Sequence, residues 1–127
     1  MILVDTSVWV SVLRSRTSPE AATFASLLDA DKVLIAAPVR TELVAGARGD
    51  DQPRLRRTLS ALPVVYPHDE TWSLMDRWAE QAGNRGQRFG VGDLLIAALA
   101  REAGALVWSL DADFGLMARL KFVDLYQ

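Results

Sequence analysis

Met1-Ile2-Leu3-Val4-Asp5-Thr6-Ser7-Val8-Trp9-Val10 opens the chain, and its reading decides the fold. Ile2 to Val4 is a short, unbroken apolar run of the kind that forms a buried strand, and a carboxylate stops it. Val8, Trp9, Val12 and Leu13 then fall at helical spacing, so a strand gives way directly to a helix with Asp5 at the junction. The same alternation continues. Ser18-Pro19-Glu20 is an N-cap followed by proline at the first helical position, heading a helix that carries Ala22, Phe24, Ala25, Leu27 and Leu28. Val33-Leu34-Ile35 is a second strand. Pro38 opens a third helix to about Ala47, broken at Gly49-Asp50, and a short basic helix covers residues 53–62. Val64-Val65 is a third strand, and a helix from Asp69 places Trp72, Met75, Trp78, Ala79 and Ala82 on one stripe. Asn84 to Gly92, with three glycines and two arginines, is a loop. Leu94 to Ala100 is apolar on every side, as in a helix buried against a sheet. Ala105 to Trp108 is a fourth strand, Phe114 to Leu120 a last helix, and Phe122-Val123 an edge strand. The expectation is one α/β domain over residues 1–127, with a mostly parallel central sheet of four to five strands flanked by helices.

Composition narrows the function classes. Half the residues are hydrophobic and 24% are charged, a globular balance. Cysteine is absent, which excludes disulfides and thiolate metal sites and is compatible with a reducing cytoplasm, the expected location. The N-terminus lacks a basic leader, and the apolar runs fall far short of the roughly 20 residues of a membrane helix, so no membrane partner is expected. The formal charge of -2 gives no global attraction to nucleic acid. Lys32 and Lys121 are the only lysines among the 14 cations; the rest are arginines, which suit bidentate phosphate contacts but which a GC-rich genome would also produce.

The placement of particular acids is more telling. Asp5 directly follows the first strand, and Asp111 follows the fourth across Ser109-Leu110. In an open α/β sheet, ligands bind outside the carboxyl ends of the strands. Asp93 begins the all-apolar helix. Glu42 shares a helical face with Val39, Leu43 and Gly46, so an inward-facing carboxylate is expected, costly unless paired or bound to a cation. Helix capping would also account for Asp5, Asp93 and Asp111, and pairing with Arg40 or Arg48 for Glu42. If all four converge on one sheet edge, their repulsion raises their pKa values, and a divalent cation relieves it. Hard oxygen ligands select Mg²⁺ or Mn²⁺. His68, the single histidine, lies in a loop after Pro67 and is read as incidental.

Four segments resemble those of PIN-domain proteins, specifically VapC-type toxins of prokaryotic type II toxin–antitoxin pairs. Val4-Asp5-Thr6-Ser7-Val8-Trp9-Val10 resembles the family's opening strand with its first catalytic Asp. Pro38-Val39-Arg40-Thr41-Glu42-Leu43-Val44-Ala45-Gly46 resembles the segment bearing the catalytic Glu. Gly92-Asp93-Leu94-Leu95-Ile96-Ala97-Ala98 resembles the third, with an Asp heading a buried helix, and Gly92 stands where a more polar residue is frequent. Trp108-Ser109-Leu110-Asp111-Ala112-Asp113-Phe114 resembles the closing Thr-x-Asp-x-Asp-Phe pattern, with serine for the commoner threonine. The order and spacing span nearly the whole chain.

The resemblance implies an endoribonuclease that inhibits translation, with Asp5, Glu42, Asp93 and Asp111 holding one or two Mg²⁺ or Mn²⁺ ions, so that RNA is hydrolysed to a 3′-hydroxyl and a 5′-phosphate. Asp113 occupies a position that varies within the family and is an additional metal ligand. Thr6, Ser7 and Ser109 are supporting hydroxyls for the carboxylates or the phosphate, although Thr6 and Ser7 also suit helix capping. Arg85 and Arg88 are the candidates to contact RNA or to face the antitoxin, with Arg54, Arg56 and Arg57 as a second cluster; a solvated face explains either. The implied partners are RNA, a small cognate antitoxin that inserts a basic residue near the acids, and a second copy in a homodimer. Trp9, Val12 and Leu13 belong either to the core or to an antitoxin groove. Trp72, Met75 and Trp78 form a core stripe that would serve a dimer if part of it is exposed. Two other classes fit less well. A phosphorelay receiver needs paired acids after the first strand, whereas Asp5 stands alone; an inactive PIN-fold interaction module would not need all four acids.

Overall fold

The computed structural model describes residues 1–127. The elements run β1 (Ile2–Val4), α1 (Thr6–Arg14), α2 (Pro19–Asp29), β2 (Val33–Ala36), α3 (Ala37–Gly46), α4 (Asp51–Ser60), β3 (Val64–Val65), α5 (Asp69–Asn84), α6 (Val91–Ala103), β4 (Leu106–Trp108) and α7 (Ala112–Arg119). The four strands form one parallel sheet in the order β3-β2-β1-β4. β1 is central and wholly buried, which is why its residues are uniformly apolar rather than alternating.

The strand order contains the feature that positions a site. From β1 the chain steps through β2 to β3 on one side, then crosses back through α5 and α6 to lay β4 on the other side of β1. The β1–β4 seam is therefore a topological switch point, where the loops leaving two adjacent strands diverge and open a crevice at their carboxyl ends. Asp5 leaves β1 and Ser109 leaves β4 at that seam, and the Asp5 amide still donates to the Trp108 carbonyl at 2.9 Å.

The core is one cluster from both faces of the sheet. α6 crosses it with Leu94 and every residue from Ile96 to Ala100 buried, the alanines letting its neighbours approach closely. Trp9 meets Phe24 edge-on at 4.7 Å, which locks α1 to α2. Met75 and Trp78 on α5 are buried, whereas Trp72 on the same stripe is 46% exposed.

Three sequence expectations shift. α4 starts at Asp51 rather than residue 53, because Pro53 is tolerated in a first turn whose amides lack intrahelical partners. α6 starts at Val91, so Gly92 and Asp93 lie inside the helix rather than at its door. Phe122-Val123 is not an edge strand: both residues are core, and β4 is met instead at Leu125 by a single parallel bridge. The reason is how α7 ends. Lys121 adopts φ 65°, its amide donates to Ala118 O at 3.0 Å, and Phe122 N donates to Met117 O at 3.0 Å, a Schellman turn. That turn swings Phe122 inward to stack on Trp78 at 4.6 Å. Gly104 ends α6 in the same way, with Ala105 N donating to Ala100 O at 2.9 Å.

A left-handed lysine costs about 1 kcal/mol that glycine avoids. Lys121→Gly is therefore expected to raise the thermal midpoint by roughly 3–5 °C. An unchanged or lower midpoint in a melting experiment would contradict the Schellman account of this turn.

Candidate active site

Asp5 is the residue that the sheet places most firmly. It occupies the N-cap position of α1, yet its side chain makes no capping bond. Instead Oδ2 accepts from Ser7 Oγ at 2.9 Å and from Ser109 Oγ at 2.7 Å. Each hydroxyl is itself anchored: Leu110 N donates to Ser7 Oγ at 2.9 Å, and Asp111 N donates to Ser109 Oγ at 3.0 Å. The two serines, 102 residues apart in sequence, stand 3.2 Å from each other. This clamp fixes the Asp5 carboxylate across the β1–β4 seam, and only 8% of the residue is exposed.

Asp93, Asp111 and Asp113 gather beside it, with one carboxylate oxygen from each lying within 4.8 Å of the others. Asp93 comes from the first turn of α6, whose N-cap is Gly90, so capping does not explain this aspartate. Asp111 does cap its helix: Oδ1 accepts from Asp113 N at 2.9 Å, which also aligns Asp113 on the following turn. Capping and site membership are thus compatible for Asp111. Asp5 stands outside the 4.8 Å group, its Oδ2 turned to the serines, but its charge acts on Asp93 more strongly than that of Asp113.

Asp93 reports the crowding. Its pKa is raised to about 6, first by burial and then by the charges of Asp111, Asp5, Asp113 and Glu42 in that order. Glu42 has the weakest of these effects, and the structure corrects its expected orientation. It does not face inward; it is exposed at the edge of a cleft between α1 and α3, because Val39 and Leu43 take the buried face. Arg40 does not neutralise it, since that guanidinium donates to Tyr66 Oη at 3.2 Å and lies over the ring.

The remaining sequence candidates separate. Ser7 and Ser109 belong to the Asp5 clamp, while Thr6 Oγ1 is buried without a partner. Arg85 and Arg88 are exposed on the segment before α6, and neither lines the clefts beside α1. His68 is exposed at the N-cap of α5. Sequence reasoning ranked Asp113 below Glu42; the geometry places Asp113 with the tight group. The signal was its position in the first turn after a capping aspartate, which turns both side chains toward one end of the helix.

The arrangement can hold a cation. Its donors are carboxylate oxygens with hydroxyls behind them, and the closest group offers three oxygens. This is a hard-ligand set, of the kind that suits a hard divalent cation.

A PIN domain model matches residues 2–120. Ribonuclease VapC11 from Mycobacterium tuberculosis is 34% identical over 94% of this chain and 93% of its own length. Among solved structures, VapBC-1 from nontypeable Haemophilus influenzae superposes with a TM-score of 0.77 at 20% identity, covering 100% of this chain and 98% of that one. VapBC2 from Rickettsia felis, bound to a DNA fragment from its promoter, gives 0.76 at 18% identity over 99% and 98% of the two chains. The chain belongs to the PIN-domain family and, within it, to the VapC ribonucleases.

The raised pKa of Asp93 has a stability consequence with a definite sign. The folded protein holds this proton more tightly than the unfolded chain, so the contribution is present at low pH, fades as pH rises from about 3.8 to about 6, and is absent above. Without metal, Asp93→Asn is expected to stabilise the protein at pH 7.5 by about 1 kcal/mol, a value reduced for solvent screening, and to have no such effect at pH 4. Melting curves in EDTA at the two pH values check this; equal effects at both, or destabilisation at pH 7.5, would refute it.

Proposed function

We propose that this protein, as a single nuclease domain over residues 1–127, is a Mg²⁺- or Mn²⁺-dependent endoribonuclease that acts as the toxin of a toxin–antitoxin pair and inhibits translation by cutting RNA. The observation that carries the reading is the convergence of Asp93, Asp111 and Asp113 beside the serine-clamped Asp5 at the switch point of the sheet. The name of the 34% identical relative, a ribonuclease, supports the reaction class.

When bound, a divalent ion would supply Lewis-acid polarisation of the phosphate and acidify an attacking water. The chain's own residues do the rest. Asp5, Asp93, Asp111 and Asp113 would offer oxygens to the cation, and the exposed Glu42 would add its charge from the cleft edge. Ser7 and Ser109 hold Asp5 Oδ2, so the free oxygen has one direction and no reorganisation is needed at the moment of reaction. Asp93, with its pKa near 6, is largely ionised at pH 7.5 and binds a cation more readily as pH rises.

The antitoxin site in this reading is an apolar groove of about 290 Å³ between α1, α2 and α4, lined by Trp9, Val12, Phe24, Leu28 and Leu55. Trp9, only 1% exposed, forms part of the groove floor, and Val12, Leu28 and the exposed Leu13 and Ala25 give an inserted segment apolar contacts. Trp72, exposed on α5, is the candidate contact of a homodimer, which sedimentation equilibrium separates from the 14.0 kDa monomer.

Purified protein freed of antitoxin is expected to cleave RNA with Mg²⁺ or Mn²⁺ and to stop in EDTA. Asp5→Asn and Asp93→Asn should each lower the rate at least 100-fold without unfolding the chain. Cleavage that survives EDTA or either variant would sink the mechanism, and an intact protein that never cuts RNA would leave only an interaction module. Ala25→Trp, at an exposed position in the groove, should keep wild-type cleavage but resist inhibition by the antitoxin about tenfold. Full inhibition of that variant would place the antitoxin elsewhere.

A further inference from the structure

A second cleft, of about 400 Å³, runs between α1 and α3, and Glu42 and Thr6, the residue that follows Asp5, are part of its lining. Arg14, in the last turn of α1, and Arg48, just beyond α3, line the same cleft. Both side chains are exposed. They contrast with Arg40, which is held by Tyr66, and with Arg101, which donates to the Lys121 carbonyl. Asp51 also lines the cleft, but it lies in the first turn of α4, where the helix N-terminus already favours its charge. Val10 and Leu43 make part of the wall apolar, so charges that meet there are less screened than on an open surface.

We propose that this cleft carries the RNA strand away from the scissile bond, with Arg14 and Arg48 gripping a neighbouring phosphate. The inference rests on the nuclease reading and deepens it. The eight helical steps from Thr6 to Arg14 place the basic end about 12 Å along α1 from Thr6, at 1.5 Å per residue, a distance of roughly two to four nucleotides. A ligand with repeating anions uses both ends: one phosphate meets the carboxylates through a cation, and another meets guanidinium groups directly, which arginine does bidentately. The arginines read from sequence as RNA contacts, Arg85 and Arg88, line neither this cleft nor the apolar groove between α1, α2 and α4.

The test uses a labelled single-stranded RNA oligonucleotide with one defined cleavage site and the Arg14→Gln/Arg48→Gln double variant. Both positions are exposed, so the melting temperature should not move. The expected result is a KM raised about tenfold or more with kcat within about threefold, the signature of lost uniform binding. The slope of log KM against log salt should fall by about 0.7 for one phosphate contact. A single neutral methylphosphonate, walked through the four linkages on either side of the scissile bond, should at one position weaken the wild type but not the double variant. An unchanged KM and salt slope, or a loss confined to kcat, would overturn the proposal. So would unaltered cleavage combined with weakened antitoxin binding, which would assign the cleft to the protein partner. If wild-type protein does not cut the oligonucleotide, the nuclease reading fails by itself. Filter binding of the same RNA, with and without the arginine substitutions, then decides separately: an unchanged salt slope refutes the cleft and a reduced one supports it.

Discussion

Carboxylates repel, and this chain brings five of them to one end of one small sheet. Burial and four neighbouring charges lift Asp93 to a pKa of about 6, and the fold tolerates that cost rather than relieving it with a lysine or arginine in the cluster. The crowding has to be enforced by the backbone. The crossover that puts β4 beside β1 brings the residues after two distant strands within reach of each other, and the serine clamp on Asp5 fixes their register. The Ser7–Asp5–Ser109 contact is therefore at once a structural tie across the seam and the rigid wall of the site. Relaxing either strand end would let the acids move apart and lower their energy without a cation, so the seam stores the repulsion that makes the site attractive to one.

Much of this was legible in the amino-acid sequence because it is local. The uniformly apolar Ile2–Val4 run, the proline at the start of α2 and the two-residue spacing of Asp111 and Asp113 each act over a few residues, and each reads correctly. Periodicity also located α6, although its start was missed by two residues because Gly90 and Gly92 resemble a loop while Val91 already begins the helix. The missed features depend on contacts between distant segments. Glu42 shares a helical stripe with Val39 and Leu43, but helix position alone does not say where the stripe ends and solvent begins; α3 presents Glu42 to a cleft edge instead. The pairing of Ser7 with Ser109 depends on strand order, which no local pattern encodes. Phe122-Val123 looks like a strand by composition, and only the left-handed Lys121 turn explains why it enters the core as a corner.

The capping explanation and the functional one prove not to be rivals everywhere. Asp111 caps α7 with Oδ1 and still contributes to the acidic group. A capping aspartate is held in a fixed direction by the helix it starts, and a fixed carboxylate is a better ligand than a mobile one because less entropy is lost when a cation binds. Asp5 shows the alternative solution: it sits at a cap position but gives its capping bond up to two hydroxyls, which orient it more tightly than an amide of its own helix would. Asp93 uses neither device and is positioned by the burial of the helix around it, which is also why desolvation leads the causes of its raised pKa.

The two clefts that flank the acids differ in what they can hold, and the difference follows from their walls. The α1–α2–α4 groove is dominated by Trp9, Val12, Phe24 and Leu28, a surface for the apolar side chains of a peptide. The α1–α3 cleft is lined by Arg14 and Arg48 as well as by Glu42, a surface that on the reading proposed above suits a polyanion. Leu13, Asp51 and Leu55 line both, so the clefts meet rather than lie on separate faces. A segment seated in the apolar groove and extended toward Glu42 must cross that junction and occupy the strand's path. On the functional reading proposed above, inhibition then needs no conformational change in the nuclease: a tight-binding peptide and a weakly held RNA compete for adjoining space along α1. The apolar groove supplies the peptide's affinity, and the short reach to the acids supplies its effect.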